Sequence, residues 1–367
     1  MVRCRNSLNF QCGEINPNYN SWLITELLTA EMEIIETIQY QYKIMSSHLE
    51  CISLISDPVM AFCFVFPIGY YSVPGIGLLI LWTCTFADIL TIVLKIAFHE
   101  DRPYWWVGKN VGKVPDVSIA QYPLTCAILP GGPSGHCLVT SAVYWAILAV
   151  LFKWKNKCEK MSLTLIYGIF MILVAVSRIF LAANFPHQAI MGVFFGIVLG
   201  NYVASTKLYN SPSVYYLYAS AFSVILSGLY SFLSPLLGIQ IKWTFCAADK
   251  HCYDTDWTNQ NPFQDIFPFF RSAGVLAGTG ISLLLTSAFQ PRIIILTQHR
   301  TKRCVSVILS IILIFGFKCV ISTFDKYPPE ALVYFSKTFM EFLSIPIIVI
   351  LLIPKLLNLY EIAHFSL

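Results

Sequence analysis

Residues 76–103, IGLLILWTCTFADILTIVLKIAFHEDRP, decide the fold. The apolar part, Ile76–Phe98, exceeds the roughly 20 residues that a hydrocarbon core requires and is interrupted by charge only at Asp88 and Lys95. In lipid every backbone N–H and C=O must be satisfied within the segment, so such a run reads as a transmembrane helix. The whole chain has the same character. It is 56% apolar and 12% charged, with a mean hydropathy of +0.66, which excludes a soluble domain of 367 residues and indicates a polytopic membrane protein. An excess of 24 Lys+Arg over 20 Asp+Glu gives no reason to expect a nucleic-acid partner.

Working outward, nine apolar runs are candidate spans, the third and fifth of them short, so that they tilt little or their ends snorkel: Cys51–Tyr71, Ile76–Phe98, Cys137–Phe152, Met161–Ala182, Ala189–Ser205, Tyr215–Leu233, Phe269–Phe289, Cys304–Thr323 and Ala331–Leu352. The fold class is therefore all-α, a membrane bundle of about nine helices. Residues 1–50 form an N-terminal extension, 51–355 the membrane domain and 356–367 a short tail. Met1–Cys12 lacks the apolar core of a signal peptide. Lys153, Lys155, Lys157 and Lys160 follow the third span, and Arg292, Arg300, Lys302 and Arg303 follow the seventh. Both loops then read as cytosolic. The tail shares their side, while the N-terminal extension and the loops 100–130, 178–186 and 240–268 face away from the cytosol. Most of the 12 cysteines lie in apolar runs, whereas Cys246 and Cys252 share a polar loop and are a candidate pair. No spacing for a metal or a bound cofactor occurs.

Three segments carry chemistry. Lys95 and Arg102 are seven residues apart, two helical turns, so the expectation is one face of one helix that Pro103 then stops. Two cations at a helix end suit a phosphate dianion, although snorkelling residues at the membrane interface give the same pattern. Asp88, on the same face, is either a structural partner or a member of a proton relay. Pro133-Ser134-Gly135-His136 opens the third span. Ser134 is placed as an N-cap, Gly135 permits close backbone approach, and His136 can protonate a leaving oxygen. Ser177-Arg178 closes the fourth span, and Asn184, Pro186 and His187 open the fifth. Arg178 would be a third cation, able to stabilise charge on equatorial phosphate oxygens.

Lys95-x6-Arg102-Pro103, Pro133-Ser134-Gly135-His136 and Ser177-Arg178-x5-Asn184 resemble the signature of the type-2 phosphatidic acid phosphatase and vanadium haloperoxidase superfamily. Their surroundings, Arg102-Pro103-Tyr104-Trp105-Trp106, Cys126, Ser177-Arg178-Ile179-Phe180-Leu181-Ala182-Ala183 and Phe185-Pro186-His187-Gln188, are similar to the glucose-6-phosphatase catalytic subunit family. Phe66-Pro67, Trp243-Thr244, Trp257 and Pro262-Phe263 add to the likeness, which runs from about Leu54 to Ser287. The resemblance implies hydrolysis of glucose 6-phosphate to glucose and inorganic phosphate, as in gluconeogenesis. Lys95, Arg102, Ser134, Gly135 and Arg178 would bind the phosphate and His136 would be the proton donor. It also implies a multi-pass protein of the endoplasmic reticulum membrane with its site facing the lumen, and a glucose 6-phosphate transporter as partner.

Three departures qualify the likeness. Asn184 stands at the position of the nucleophilic histidine, and an amide is not a useful nucleophile. His187, three residues on, is the candidate substitute, at a distance that catalysis tolerates poorly. Ala127 replaces a glutamate, and the C-terminal His364-Phe365-Ser366-Leu367 lacks the paired lysines of a retrieval signal. The alternatives are an inactive membrane pseudo-phosphatase that binds a phosphate ester, and a lipid-phosphate phosphatase. On the charge argument, a protease tag inserted between Lys153 and Lys160 is cleaved in sealed, right-side-out microsomes. Protection of that tag would invert the topology.

Overall fold

The computed structural model describes residues 22–110, 119–236, 242–254, 265–288, 292–293, 300–323, 331–357 and 360–361. Trp257, Pro262, Phe263 and the His364–Leu367 terminus lie outside these. Among the described residues, eight helices are long and apolar enough to cross a membrane: α4 Pro74–Phe98, α6 Gly135–Leu151, α7 Lys157–Phe180, α8 Pro186–Thr206, α9 Ser213–Leu236, α11 Phe267–Ala288, α12 Arg300–Ser322 and α13 Ala331–Leu356. The pair α2 Ser46–Ile55 and α3 Pro58–Ser72, bent by 55° at the break between them, is long and apolar enough only when taken together, as a broken span or a re-entrant loop. The bend has a local cause. Pro58 cannot donate a backbone hydrogen bond, and Asp57, in an extended conformation, caps the new helix by accepting from Val59 N at 2.8 Å.

Shorter helices cover one end. These are α1 Trp22–Gln41, α5 Pro103–Lys109 and α10 Lys242–His251. On α1, Leu28, Met32 and Ile35 are buried against Trp106, Ile179, Ala182 and Phe185. Gln39 fixes its far end, donating to Phe180 O at 2.7 Å and Ala120 O at 2.9 Å while accepting from Ala120 N at 2.9 Å. Part of the N-terminal extension is thus packed into the body that carries the motifs.

Cys252 is disulfide-bonded to Cys126, with Cα atoms 5.9 Å apart, and not to Cys246. Six residues along a helix and its end separate Cys246 from Cys252 by roughly 9 Å at 1.5 Å per residue, beyond the reach of a disulfide.

Between spans, small residues replace the hydrophobic effect as the basis of packing, because lipid is as apolar as a leucine side chain. Gly192, Gly196 and Gly200 on α8 form a stripe against the backbone of α6, where a Cβ at Gly196 would lie 2.6 Å from Leu138 O. Gly274 and Gly278 on α11 meet the backbone of α13 at Phe339 and Leu343 in the same manner. In α13, the π-helical turn Ile347–Leu352 leaves the carbonyl of Val349 free to accept from Tyr71 Oη at 2.7 Å.

Asp88 has a structural partner that the sequence did not reveal. Arg271 on α11 donates Nε at 2.8 Å and Nη2 at 2.6 Å to its two oxygens, with Phe62, Phe267 and Phe342 around the guanidinium. The pair ties α4 to α11 inside the bundle. Replacing Asp88 with Leu leaves a buried guanidinium unpaired and is expected to cost about 3–5 kcal/mol. A large drop in thermal stability in detergent, mostly restored in Asp88→Leu/Arg271→Met, is the expected result.

Candidate functional site

Lys95 lies in the last turn of α4. The helix does not continue to Arg102 as the spacing predicts. It ends at Phe98, His99 takes a left-handed conformation (φ 52°), and Arg102 is the extended N-cap residue of α5. Pro103 therefore begins a helix instead of ending one, which suits its fixed φ and missing donor. The two cations meet because the chain turns, not because they share a helical face.

Both point at the glycine-rich segment 129–131. Lys95 Nζ donates to Pro130 O and, at 3.4 Å, to Gly131 O. Arg102 donates from Nε to Leu129 O at 2.6 Å, from Nη1 to Ala183 O at 2.6 Å and from Nη2 to Pro130 O at 3.4 Å. Arg178, on the final turn of α7, donates from Nη1 to Ser53 Oγ at 2.6 Å and from Nε to Asn184 Oδ1 at 3.5 Å. All three side chains are buried, and among the described residues none has a carboxylate within ion-pair distance. Nearby acids are engaged elsewhere, Asp101 with Lys109 at 2.7 Å and Glu100 with His187 at 3.1 Å.

Ser134 is the N-cap residue of α6 and its N–H donates to Gln188 O at 3.0 Å. Its hydroxyl does not cap the helix. Fully buried, it has no hydrogen-bond partner among the described residues. Gly135 is closely approached, since a Cβ there would meet Thr91 Cγ2 at 3.2 Å, inside ordinary van der Waals contact. The tight position is Gly131, where a Cβ would lie 2.6 Å from Asp101 O and 2.5 Å from Gln188 Oε1. His136 is partly exposed, with Nε2 at 3.6 Å from Asp57 Oδ2. Asp57 so serves two purposes, with one oxygen capping α3 and the other facing the imidazole.

Asn184 is buried and held in place. Its Nδ2 donates to Gly131 O at 2.7 Å and approaches Gln188 Oε1 at 3.5 Å. His187 has both ring nitrogens occupied, Nδ1 with Glu31 Oε2 at 2.5 Å and Nε2 with Glu100 Oε2 at 3.1 Å. Glu100 also accepts from Gln188 Nε2 at 3.0 Å. Ala127 contributes its carbonyl, which accepts from Tyr104 Oη at 2.9 Å. Among the described residues no cluster of metal-binding side chains is present.

The structure thus brings together Lys95, Arg102, Ser134, Arg178 and Asn184, with Gly135 and His136 at the start of α6. Sequence reading missed Asp57, Ser53, Glu31 and Glu100. Asp57 had a local signal, the Asp-Pro helix start. Glu31 had none, since it is 156 residues from its histidine.

Residues 76–212 match the sequence profile of the PAP2 superfamily. Human glucose-6-phosphatase 3 is 28% identical over 344 residues, covering 91% of this chain and 96% of the relative. Glucose-6-phosphatase catalytic subunit 1 of cattle is 30% identical over 260 residues, 67% of this chain and 72% of the relative, and that of the mouse is 29% identical over 350 residues. No solved structure matches.

Three buried cations with no carboxylate at ion-pair distance among the described residues carry a positive charge that an anion would complement. Arg102→Ala removes one charge-assisted donor, worth about 1.5–3 kcal/mol, and so weakens inorganic vanadate binding by roughly ten- to a hundredfold in calorimetry. Undiminished binding would remove Arg102 from the site.

Proposed function

We propose, for a chain that belongs to the glucose-6-phosphatase family, that the site binds glucose 6-phosphate and hydrolyses it to glucose and inorganic phosphate by direct attack of water, without a phosphohistidine. The carrying observation is the set of three buried cations, Lys95, Arg102 and Arg178, which are hydrogen-bonded only to neutral groups. A phosphate dianion supplies the missing negative charge. The free hydroxyl of Ser134 and the N-terminus of α6 supply further donors to its oxygens.

The leaving oxygen belongs to the sugar. His136, oriented by Asp57, gives it a proton as the P–O bond breaks. The attacking oxygen forms the new P–O bond, and the proton it loses restores His136, so that the products are an alcohol and hydrogen phosphate. Arg102 and Arg178 stabilise the charge on the equatorial oxygens meanwhile.

Neither Asn184 nor His187 serves as a nucleophile. Asn184 carries an amide already bonded to Gly131. Each ring nitrogen of His187 faces a carboxylate, an acceptor to which it donates an N–H, so the ring presents no free lone pair, which argues against its substitution for the missing histidine. Positioning and charge stabilisation then act alone, and these leave a residual rate when a nucleophile is lost. The same bonding favours a second reading, a protein that retains phosphate-ester binding and has lost turnover.

The charge bias of the loops supports a site facing away from the cytosol, in the lumen of the endoplasmic reticulum. Glucose 6-phosphate is a dianion that does not cross a bilayer unaided, so a transporter for it is the proposed partner. Asn184→His is expected to raise phosphate release from glucose 6-phosphate by roughly three orders of magnitude or more and to yield a trappable phosphohistidine absent from the wild type. A trapped intermediate in the wild-type chain would overturn the direct-attack route. Complete inactivity of the wild type beside an active Asn184→His would select the binding-only reading.

A further inference from the structure

The N-terminal helix makes a contact with the site that neither the motifs nor the packing of α1 requires. Glu31 is a buried carboxylate at 8% exposure on a helix whose other buried side chains are mostly apolar. Both its oxygens go to one residue. Oε2 lies 2.5 Å from His187 Nδ1, and Oε1 accepts from the backbone N–H of His187 at 3.1 Å. On the other side of the same ring, Nε2 lies 3.1 Å from Glu100 Oε2. The imidazole is therefore clamped between α1 and the turn that joins α4 to α5.

That clamp continues into the phosphate cage. Glu100 accepts from Gln188 Nε2 at 3.0 Å, and the same amide nitrogen donates to Asp101 O at 2.9 Å. Gln188 Oε1 accepts from Phe185 N at 3.1 Å and faces Asn184 Nδ2 at 3.5 Å. Asn184 in turn donates to Gly131 O, one of the carbonyls that receives Lys95. Gln188 O receives the N–H of Ser134 at 3.0 Å. From Glu31, an unbroken set of hydrogen bonds reaches the segment that orients Lys95 and the residue that opens α6.

We propose that Glu31, on the N-terminal helix, is a positioning residue of the phosphate site, acting through the Glu31–His187–Glu100 bridge on the turn that carries Asn184 and Gln188. The inference rests on reading the three-cation cage as a phosphate site. It makes a specific claim about sign. A carboxylate near an anion site repels the anion, so electrostatics alone predicts tighter binding when Glu31 is neutralised. Loss of the bridge predicts weaker binding, because the donors lose their fixed geometry.

The test uses the full chain in detergent, with inorganic vanadate binding measured by calorimetry and acylation of His187 by diethyl pyrocarbonate measured by mass spectrometry. Wild type is expected to bind vanadate with His187 protected. Glu31→Gln is expected to bind about tenfold more weakly, the size of one coupled contact in a network, with His187 becoming reactive. Gln39→Ala loosens the anchoring of α1 to Ala120 and Phe180 without touching the bridge, and is expected to bind like wild type. Glu31→Gln binding as tightly as wild type, or more tightly, would overturn the proposal, as would an equal loss in Gln39→Ala. If Glu31→Gln does not fold, Glu100→Gln cuts the same bridge from its other end and carries the same expectation. A wild-type chain that binds no vanadate overturns the cage itself, whereas failure confined to the variants leaves the cage standing.

Discussion

A buried ammonium or guanidinium loses several kcal/mol of hydration, and Lys95, Arg102 and Arg178 recover only part of it from peptide carbonyls and neutral side chains. Most of that recovery comes from the segment 129–131, whose three carbonyls face the cations. Gly131 lets the segment lie against Asp101 and Gln188, where a side chain would collide. The disulfide of Cys126 to Cys252 and the hydrogen bond from Tyr104 to Ala127 fix the same strand of chain just before it. An anion would be the natural complement to this geometry.

Asn184 and His187 are both held by hydrogen bonds to fixed neighbours. An amide fills nearly the space of an imidazole and can donate to Gly131, so the loop between α7 and α8 retains its shape. It has no basic lone pair to attack phosphorus. His187 has such a lone pair in principle, but two carboxylates occupy its nitrogens. On the proposed reading, phosphate binding would rest on the three cations and covalent catalysis on a group that Asn184 does not supply.

Within the bilayer the constraints differ. Helices associate there through close backbone approach at small residues and through satisfied polar pairs. Gly192, Gly196 and Gly200 bring α8 against α6, which sets the start of α6 beside the start of α8 and so Ser134 beside Gln188. Asp88 and Arg271 bind α4 to α11, and the bend at Asp57 turns a capping oxygen toward His136. The site is thus the product of packing decisions made well inside the membrane.

The membrane class, the helical spans and the residue types gathered around segment 129–131 were legible in the sequence, because each depends on local composition or short spacing. A run such as Ile76–Phe98 must be a helix in lipid, and Lys95, Arg102, Ser134, Arg178 and Asn184 announce themselves by residue type within short motifs. The first span was legible as a span but not as a bent one, although Asp57-Pro58 carried the signal. What only the tertiary structure decided were the long-range pairings: Arg271 with Asp88, Glu31 with His187 and Cys252 with Cys126. It also decided the true geometry of Lys95 and Arg102, which helical periodicity placed on one face and a left-handed turn at His99 placed on two elements. Periodicity reports on a chain's immediate neighbours, whereas a buried charge takes whichever partner the packing of distant helices brings within about 3 Å.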